Sequence, residues 1–188
     1  MRILFLGNSF TYYHDLPKIV SCMLPCEVHA HTRGGAKLAE HLNPEAEMGA
    51  KTLKSLKEEK WDYVVMQEQS FAPVGSFEAF LESVKALSAL IKENGAVPVL
   101  YATWAYKEDT EKLASTHLSY NEMATALRTN YYKAAEESGA LVADVGTLFT
   151  KARSTVTPYE NDNYHPSEAG TVLAASEIVR VIRENEQK

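Results

Sequence analysis

The chain has 188 residues, 45% of them hydrophobic and 23% charged, and its 19 Lys and Arg against 25 Asp and Glu give a formal charge of -6. That length supports a real core without metals or disulfides, and the acidic balance argues against nucleic acid as a main partner, since phosphate binding needs a basic face. No run of 18 apolar residues occurs, so no membrane span is expected, and Ile3–Leu6 is too short for the apolar region of a signal peptide, which sets the expectation of a cytoplasmic protein.

Taken in chain order, the first strand is predicted over Ile3–Leu6, halted at Gly7-Asn8-Ser9. A short helix over Leu16–Met23 follows. It carries Cys22, which with Cys26 makes a spacing of four that is neither a redox C-x-x-C nor a zinc site, so both read as reduced thiols. A second strand is expected over Glu27–Thr32 and a helix over Gly49–Glu59. Strand three spans Tyr63–Gln67. In Ser76–Asn94 the residues Phe77, Phe80, Leu81, Val84, Leu87 and Ile91 recur at three- and four-residue steps, which makes one apolar helical stripe ended by Gly95. Strand four is Ala96–Thr103. A helix over Leu118–Ser138 repeats the pattern through Met123, Leu127, Tyr131 and Ala135. Strand five is Ala140–Val145, and a last helix runs from about Ser167 to Asn185 with Val172, Ala175, Ile178, Val179 and Ile182 inward.

Short Val- and Leu-rich strands alternating with amphipathic helices predict a parallel sheet covered on both faces. Five strands in this length fit a flavodoxin-sized three-layer α/β/α sandwich. No linker, repeat or low-complexity stretch divides residues 1–188, so a single domain is expected.

In such a sheet ligands bind beyond the carboxyl ends of the strands. Ser9 follows strand one, Gly34-Gly35 strand two, and Gln67-Glu68-Gln69-Ser70 strand three, while Asp162 and His165 lie between strand five and the last helix. This collection meets the needs of acyl transfer. A serine hydroxyl is a poor nucleophile until a base accepts its proton. His165 can be that base, with Asp162 on its other ring nitrogen to fix the tautomer. Pro166 suits the first position of the last helix and Glu168 its first turn. For the anionic oxygen of a tetrahedral intermediate, donors are available in the Ser9 N–H at a helix start, the Gly35 N–H, which a glycine can bring close, and the Gln67 amide.

These residues carry a resemblance. Gly7-Asn8-Ser9-Phe10 resembles the first block of the SGNH (GDSL-type) hydrolases, Gly35 their second-block glycine, and Asp162-x-x-His165-Pro166, continued by Ser167-Glu168-Ala169-Gly170, their last block. The resemblance spans nearly the whole chain. It implies a flavodoxin-like fold, esterase, lipase, thioesterase or carbohydrate deacetylase activity, Ser9 as nucleophile completed by Asp162 and His165, and oxyanion donors at Ser9 and Gly35. Two departures stand out. Asn8 replaces the aspartate beside the nucleophile, and Val65-Met66-Gln67-Glu68-Gln69-Ser70 replaces the third block Gly-x-Asn-Asp. The replacement is similar to the Gln-Gly-Glu block of the sialate O-acetylesterase-like branch, which maps the third donor to Gln67, with Gln69 as the alternative.

Tyr12, His14, Trp104 and Tyr106 are candidate substrate contacts, since aromatic faces stack on sugar rings, with plain packing as the competing role. His29 and His31 share one strand face without an evident third ligand, and packed or exposed histidines are the expected reading. No G-x-S-x-G elbow, P-loop or G-x-G-x-x-G follows strand one. The expectation is therefore a serine esterase that needs no metal or cofactor and acts on a small ester, with a tilt toward O-acetylated carbohydrate. A short-chain lipid esterase or thioesterase is the enzymatic alternative, and a non-catalytic member of the same fold binding a glycan or partner is the alternative from another class.

Overall fold

The computed structural model describes all 188 residues. Five strands, β1 (Arg2–Gly7), β2 (Glu27–Thr32), β3 (Tyr63–Met66), β4 (Val97–Ala102) and β5 (Leu141–Asp144), form one parallel sheet in the order β2-β1-β3-β4-β5. Each lies within two residues of its predicted bounds. Because side chains alternate along a strand, the four strands other than the edge strand β2 feed two cores. Leu4, Leu6, Val64, Met66 and Leu100 face one side, and Ile3, Phe5, Tyr63, Val65, Val99 and Tyr101 face the other.

The first core is closed by helices α3 (Glu47–Glu58), α5 (Phe77–Asn94) and α7 (Tyr120–Ser138), the second by α2 (Leu16–Met23), α8 (Val145–Ala152) and α9 (Glu168–Glu186). Single turns α1 (Ser9–Tyr12), α4 (Ala72–Gly75) and α6 (Glu111–Ala114) complete the element order. The fold is a three-layer α/β/α sandwich. No helix is long and apolar enough to cross a membrane, and Cys22 and Cys26 are both free thiols.

The structure corrects three details of the helix reading. Pro166 lies outside the last helix rather than at its first position, because Ser167 is the cap and Glu168 the first helical residue. Val172 points to solvent at 44% exposure, because α9 buries Ala174, Ala175, Ile178 and Ile182, a stripe rotated away from it. Helix α8 occupies a stretch predicted as connection. Only Val145 and Phe149 of its eight residues are buried, too few to show a period, and Asp144 caps it by accepting the Thr147 N–H.

The chain leaves β1 toward β2 and later returns to the opposite side of β1 as β3, so β1 and β3 flank the switch point at which an open parallel sheet leaves a crevice. Residues 8–9 and 67–70 follow those two strands directly.

The last segment reaches the same edge through the start of α9. Ser167 caps this helix, accepting the Gly170 N–H at 3.2 Å, and the Ser167 N–H donates to the Pro158 carbonyl at 3.0 Å. Gly170 lies against that carbonyl so closely that a Cβ would stand 2.2 Å from its oxygen and 2.9 Å from the Phe149 ring. Elsewhere in a helix, replacing glycine by alanine is stabilising by about 0.5–1 kcal/mol. Here the sign reverses. Gly170→Ala is expected to cost about 1–3 kcal/mol through overpacking against backbone, read as a lowered midpoint in urea denaturation, and an unchanged or raised midpoint would remove the close-approach account.

Candidate active site

The peptide after β1 turns sharply because Asn8 takes both sides of the turn. Its side-chain oxygen accepts the Phe10 N–H at 3.1 Å and starts α1, while its amide donates to the Ala36 carbonyl at 2.9 Å. Ser9 is thereby the first residue of a helical turn, where a backbone N–H has no partner within the helix. From the far end of the chain, the loop after Tyr159 is folded back by Asn163, which adopts φ +70, a left-handed geometry that asparagine tolerates better than most residues. One oxygen of Asp162 accepts the backbone N–H groups of Tyr164 at 3.2 Å and His165 at 3.0 Å, and the other accepts the His165 Nδ1–H at 2.6 Å.

With that nitrogen protonated, His165 Nε2 is an acceptor, and the Ser9 Oγ–H donates to it at 2.7 Å. Burial works to raise the pKa of Asp162, but the hydrogen bonds from the His165 ring and the two backbone N–H groups outweigh it and hold the carboxyl below its ordinary value. An ionised carboxylate, an oriented imidazole and a hydroxyl thus stand in line, the order that lets a base draw a proton from a hydroxyl.

Three rings pack against the imidazole. Tyr13 stacks on it at 4.2 Å and 1°, Tyr164 lies tilted at 4.2 Å, and Phe10 meets it edge-on at 5.5 Å. Sequence reasoning missed Tyr13 and Tyr164 in this role, although each is a near neighbour of a motif residue.

The hydroxyl opens into a cleft of about 330 Å³ whose walls include Asn8, Tyr12, Tyr13, Gly34, Gly35, Gln69, Ser70, Lys112 and Tyr164. Tyr12 stands at its rim, 44% exposed. Gly35 lines it, but for a reason other than close approach. A Cβ there would meet nothing within 4 Å, and its φ of +67 is what favours glycine.

Four predicted contacts take different positions. Gln67 is fully buried and its amide is spent inside. Its oxygen accepts the Asn8 N–H at 3.0 Å and the Thr11 hydroxyl at 2.9 Å, and its nitrogen donates to the Glu68 carbonyl. Gln69, the alternative, lines the cleft instead. Its oxygen is held by the N–H groups of Phe71 at 3.1 Å and Ala72 at 3.0 Å, which orients its NH₂ group, one N–H of which reaches the Ser70 hydroxyl at 3.3 Å.

Trp104 has no exposed surface. It is stacked between Phe10 at 4.6 Å and Phe149 at 3.8 Å, and its indole N–H donates to the Tyr164 carbonyl at 3.0 Å. It supports Ser9 and His165 from beneath, through the residue next to each. Tyr106 is buried behind the wall, with its hydroxyl 2.7 Å from that of Ser70. His14 lies outside the cleft, 2.8 Å from a Glu160 carboxylate oxygen. Of the paired histidines on β2, His29 bonds Glu27 at 2.6 Å, and His31 is buried with His41 on either side of the Thr52 hydroxyl, at 3.0 and 2.9 Å. A larger concavity of about 460 Å³ between α3 and α5 holds Leu53, Leu56 and Leu90 but no nucleophile with a base, so size does not locate the chemistry.

No protein-family model matches the chain, and no curated protein matches it. Among solved structures it is similar to a protein from Slackia heliotrinireducens assigned to the SGNH hydrolases, with TM-score 0.92 and 43% identity over 97% of this chain and 98% of that one. A DUF4886 family protein from Bacteroides uniformis follows at TM-score 0.71 and 22% identity, over 98% and 83% of the two chains. An acetyl-xylooligosaccharide esterase from Geobacillus stearmophilus shares the fold at TM-score 0.71 and 17% identity, over 96% and 93%.

One buried acid sits under the cleft. The Glu68 carboxylate accepts the Gln69 N–H at 2.6 Å and the Leu38 N–H at 3.2 Å, and burial pushes its pKa up to about 7 against the pull of those two bonds and of Lys37. A carboxyl that holds its proton more tightly when folded contributes most stability at low pH and loses it as the pH climbs to about 7. His31 and His41, held down to about 4 chiefly by burial, act in the opposite sense, losing stability as the pH falls below about 6.5. Glu68 is therefore isolated by difference. Between about pH 5 and about pH 8, wild type is expected to lose about 2–3 kcal/mol of unfolding free energy relative to Glu68→Gln. Parallel urea titrations of the two proteins check this, and a pH-independent difference would show an ordinary carboxyl.

Proposed function

The chain belongs to the SGNH (GDSL-type) hydrolases, and from that membership we propose that this ester-hydrolysing serine hydrolase works through Ser9, His165 and Asp162 on a small acyl ester, with an acetylated carbohydrate as the substrate class. One observation carries the reading. Residues 156 positions apart meet at 2.7 Å between Ser9 Oγ and His165 Nε2, with Asp162 at 2.6 Å on the other ring nitrogen.

Ser9 Oγ attacks the ester carbonyl as its proton passes to His165 Nε2, and Asp162 stabilises the imidazolium without taking the proton. The carbonyl oxygen, now anionic, accepts from the Ser9 N–H at the start of α1, from the Gly35 N–H and from Gln69 Nε2. The intermediate collapses when His165 returns the proton to the leaving alcohol, which leaves an acyl-serine. Water then enters, gives its proton to the same nitrogen, and releases the acid with Ser9 restored.

The wall composition supports a short acyl group and a polar alcohol. Asn8, Gly34, Gly35, Gln69 and Ser70 are small or polar, and no run of aliphatic side chains continues from the hydroxyl to hold a long chain. Tyr12 at the rim gives a sugar ring a face to stack on.

Hydrolysis of p-nitrophenyl acetate tests the core of this reading. Ser9→Ala is expected to abolish it, and Asp162→Asn to lower kcat by about 10³–10⁴ through the wrong imidazole tautomer. A Ser9→Ala protein as fast as wild type would end the proposal. The two glutamines are expected to separate cleanly. Gln69→Leu lowers kcat by about 10²–10³ with little change in KM. Gln67→Leu leaves the Asn8 N–H unsatisfied and shows first as a fall in thermal midpoint, by about 1–3 kcal/mol of lost stability. Equal kinetic losses without any stability loss at residue 67 would return the third donor to Gln67.

A further inference from the structure

We propose that the substrate of this cleft carries a carboxylate close to its ester bond, and that Lys112 selects for it. The inference rests on the esterase reading above and extends it to the charge of the substrate.

The protein is acidic, with a formal charge of -6, yet the cleft wall contains no Asp or Glu and one fixed cation, Lys112. Two nearby arginines are engaged elsewhere. Arg33, next to the Gly34-Gly35 turn, bonds the Gly34 carbonyl and the Glu40 carboxylate, and Arg153 bonds Glu108 at 2.8 Å. The Lys112 ammonium has no carboxylate or hydrogen-bond acceptor of its own and lies over the rings of Tyr164 at 4.5 Å and Tyr106 at 5.2 Å. A ring face attracts a cation but uses none of its three N–H donors in an ordinary hydrogen bond.

Its position relative to the nucleophile is built by the backbone. Lys112 sits in the single turn α6, whose cap Thr110 accepts the Leu113 N–H at 3.3 Å and whose Leu113 is buried. The segment is tied to the Asp162–His165 loop by the Lys107 N–H, which donates to the Asn163 carbonyl at 3.0 Å. Tyr164 carries the relation onward, since its ring is 4.5 Å from the ammonium and 4.2 Å from the His165 ring. A charge two aromatic contacts from the base lies within the reach of a short ester's substituents.

The anion is a carboxylate and not a phosphate because one ammonium, with no arginine fork and no second Lys or Arg in the cleft wall, suits a single negative charge. The carboxylate can belong to the alcohol, as in an acetylated acidic sugar, or to the acyl group, as in a half-ester of a diacid. The competing account gives Lys112 only the task of covering aromatic surface with its stem.

The test compares kcat/KM for 4-acetoxybenzoate with its neutral methyl ester, and for mono-4-nitrophenyl succinate with its methyl ester, in wild type, Lys112→Met and Lys112→Glu. The charged-to-neutral ratio within one preparation cancels the folded fraction, so a structural role alone does not move it. Expected is a ratio in one of the two pairs that falls about fivefold in Lys112→Met, falls further in Lys112→Glu, and shrinks in wild type as salt is raised. The responding pair identifies the side that bears the carboxylate. Ratios equal in wild type and Lys112→Met for both pairs overturn the proposal while leaving the esterase reading intact. Absence of Ser9-dependent hydrolysis of the neutral esters overturns both.

Discussion

The hydrogen bond between Ser9 and His165 is the constraint on which the site depends, and little of it is local. Its partners are 156 residues apart, so the bond forms only if the sheet has already brought the end of β1 and the start of α9 to one edge. Parallel topology does this without special loops, because every strand runs toward the same edge and each crossover returns the chain to the opposite one. What the loops add is the last few ångströms. Asn8 turns Ser9 into the crevice, Asn163 folds Asp162 back, and three N–H groups collected by one carboxylate hold His165 in a single orientation.

That orientation is reinforced by apolar contact. The stack Phe10–Trp104–Phe149 runs from beside Ser9 into the second core, and the Trp104 indole reaches the carbonyl next to His165. One buried ring system therefore supports hydroxyl and imidazole together.

Four of the strands are legible in the sequence because each is a short apolar run, while the edge strand β2, Glu-Val-His-Ala-His-Thr, carries a weaker signal. Ser9 and Gln69 are legible because they fall just after such runs, and Asp162 and His165 by their spacing before α9. Helix stripes with many members, such as that of α5, fix their own phase. In α9 the inward face is partly made of alanines and includes Gly170 and Thr171, so the aliphatic Val172 is misread as part of it. Gln67 and Gln69 show a sharper limit. Two residues apart at a strand end, both are amides able to donate, and only the position of the last β3 residue decides that one turns into the sheet and the other into the cleft. Trp104 and Tyr106 were equally ambiguous, because an aromatic ring just past a strand serves a cleft wall or the packing behind it with the same composition.

Asparagine at position 8 follows from what the three loops require of each other. The proposed oxyanion donors need to be fixed before the charge develops, and Ser9, Gly35 and Gln69 stand on separate strand ends that share no secondary structure. Two buried polar side chains connect them. Glu68 accepts N–H groups from the loop after Gly35 and from Gln69, and Asn8 connects the Ser9 turn to the Ala36 carbonyl. The second connection needs a residue that caps a helix with an oxygen while giving an N–H to a carbonyl. The aspartate usual in the resembling block could make the cap but has no proton to donate when ionised, and it would set a negative charge against the Ala36 carbonyl. With Glu68 already providing an acid at this junction, the amide at residue 8 completes the frame with a neutral donor, and both links converge on the segment that carries Gly35.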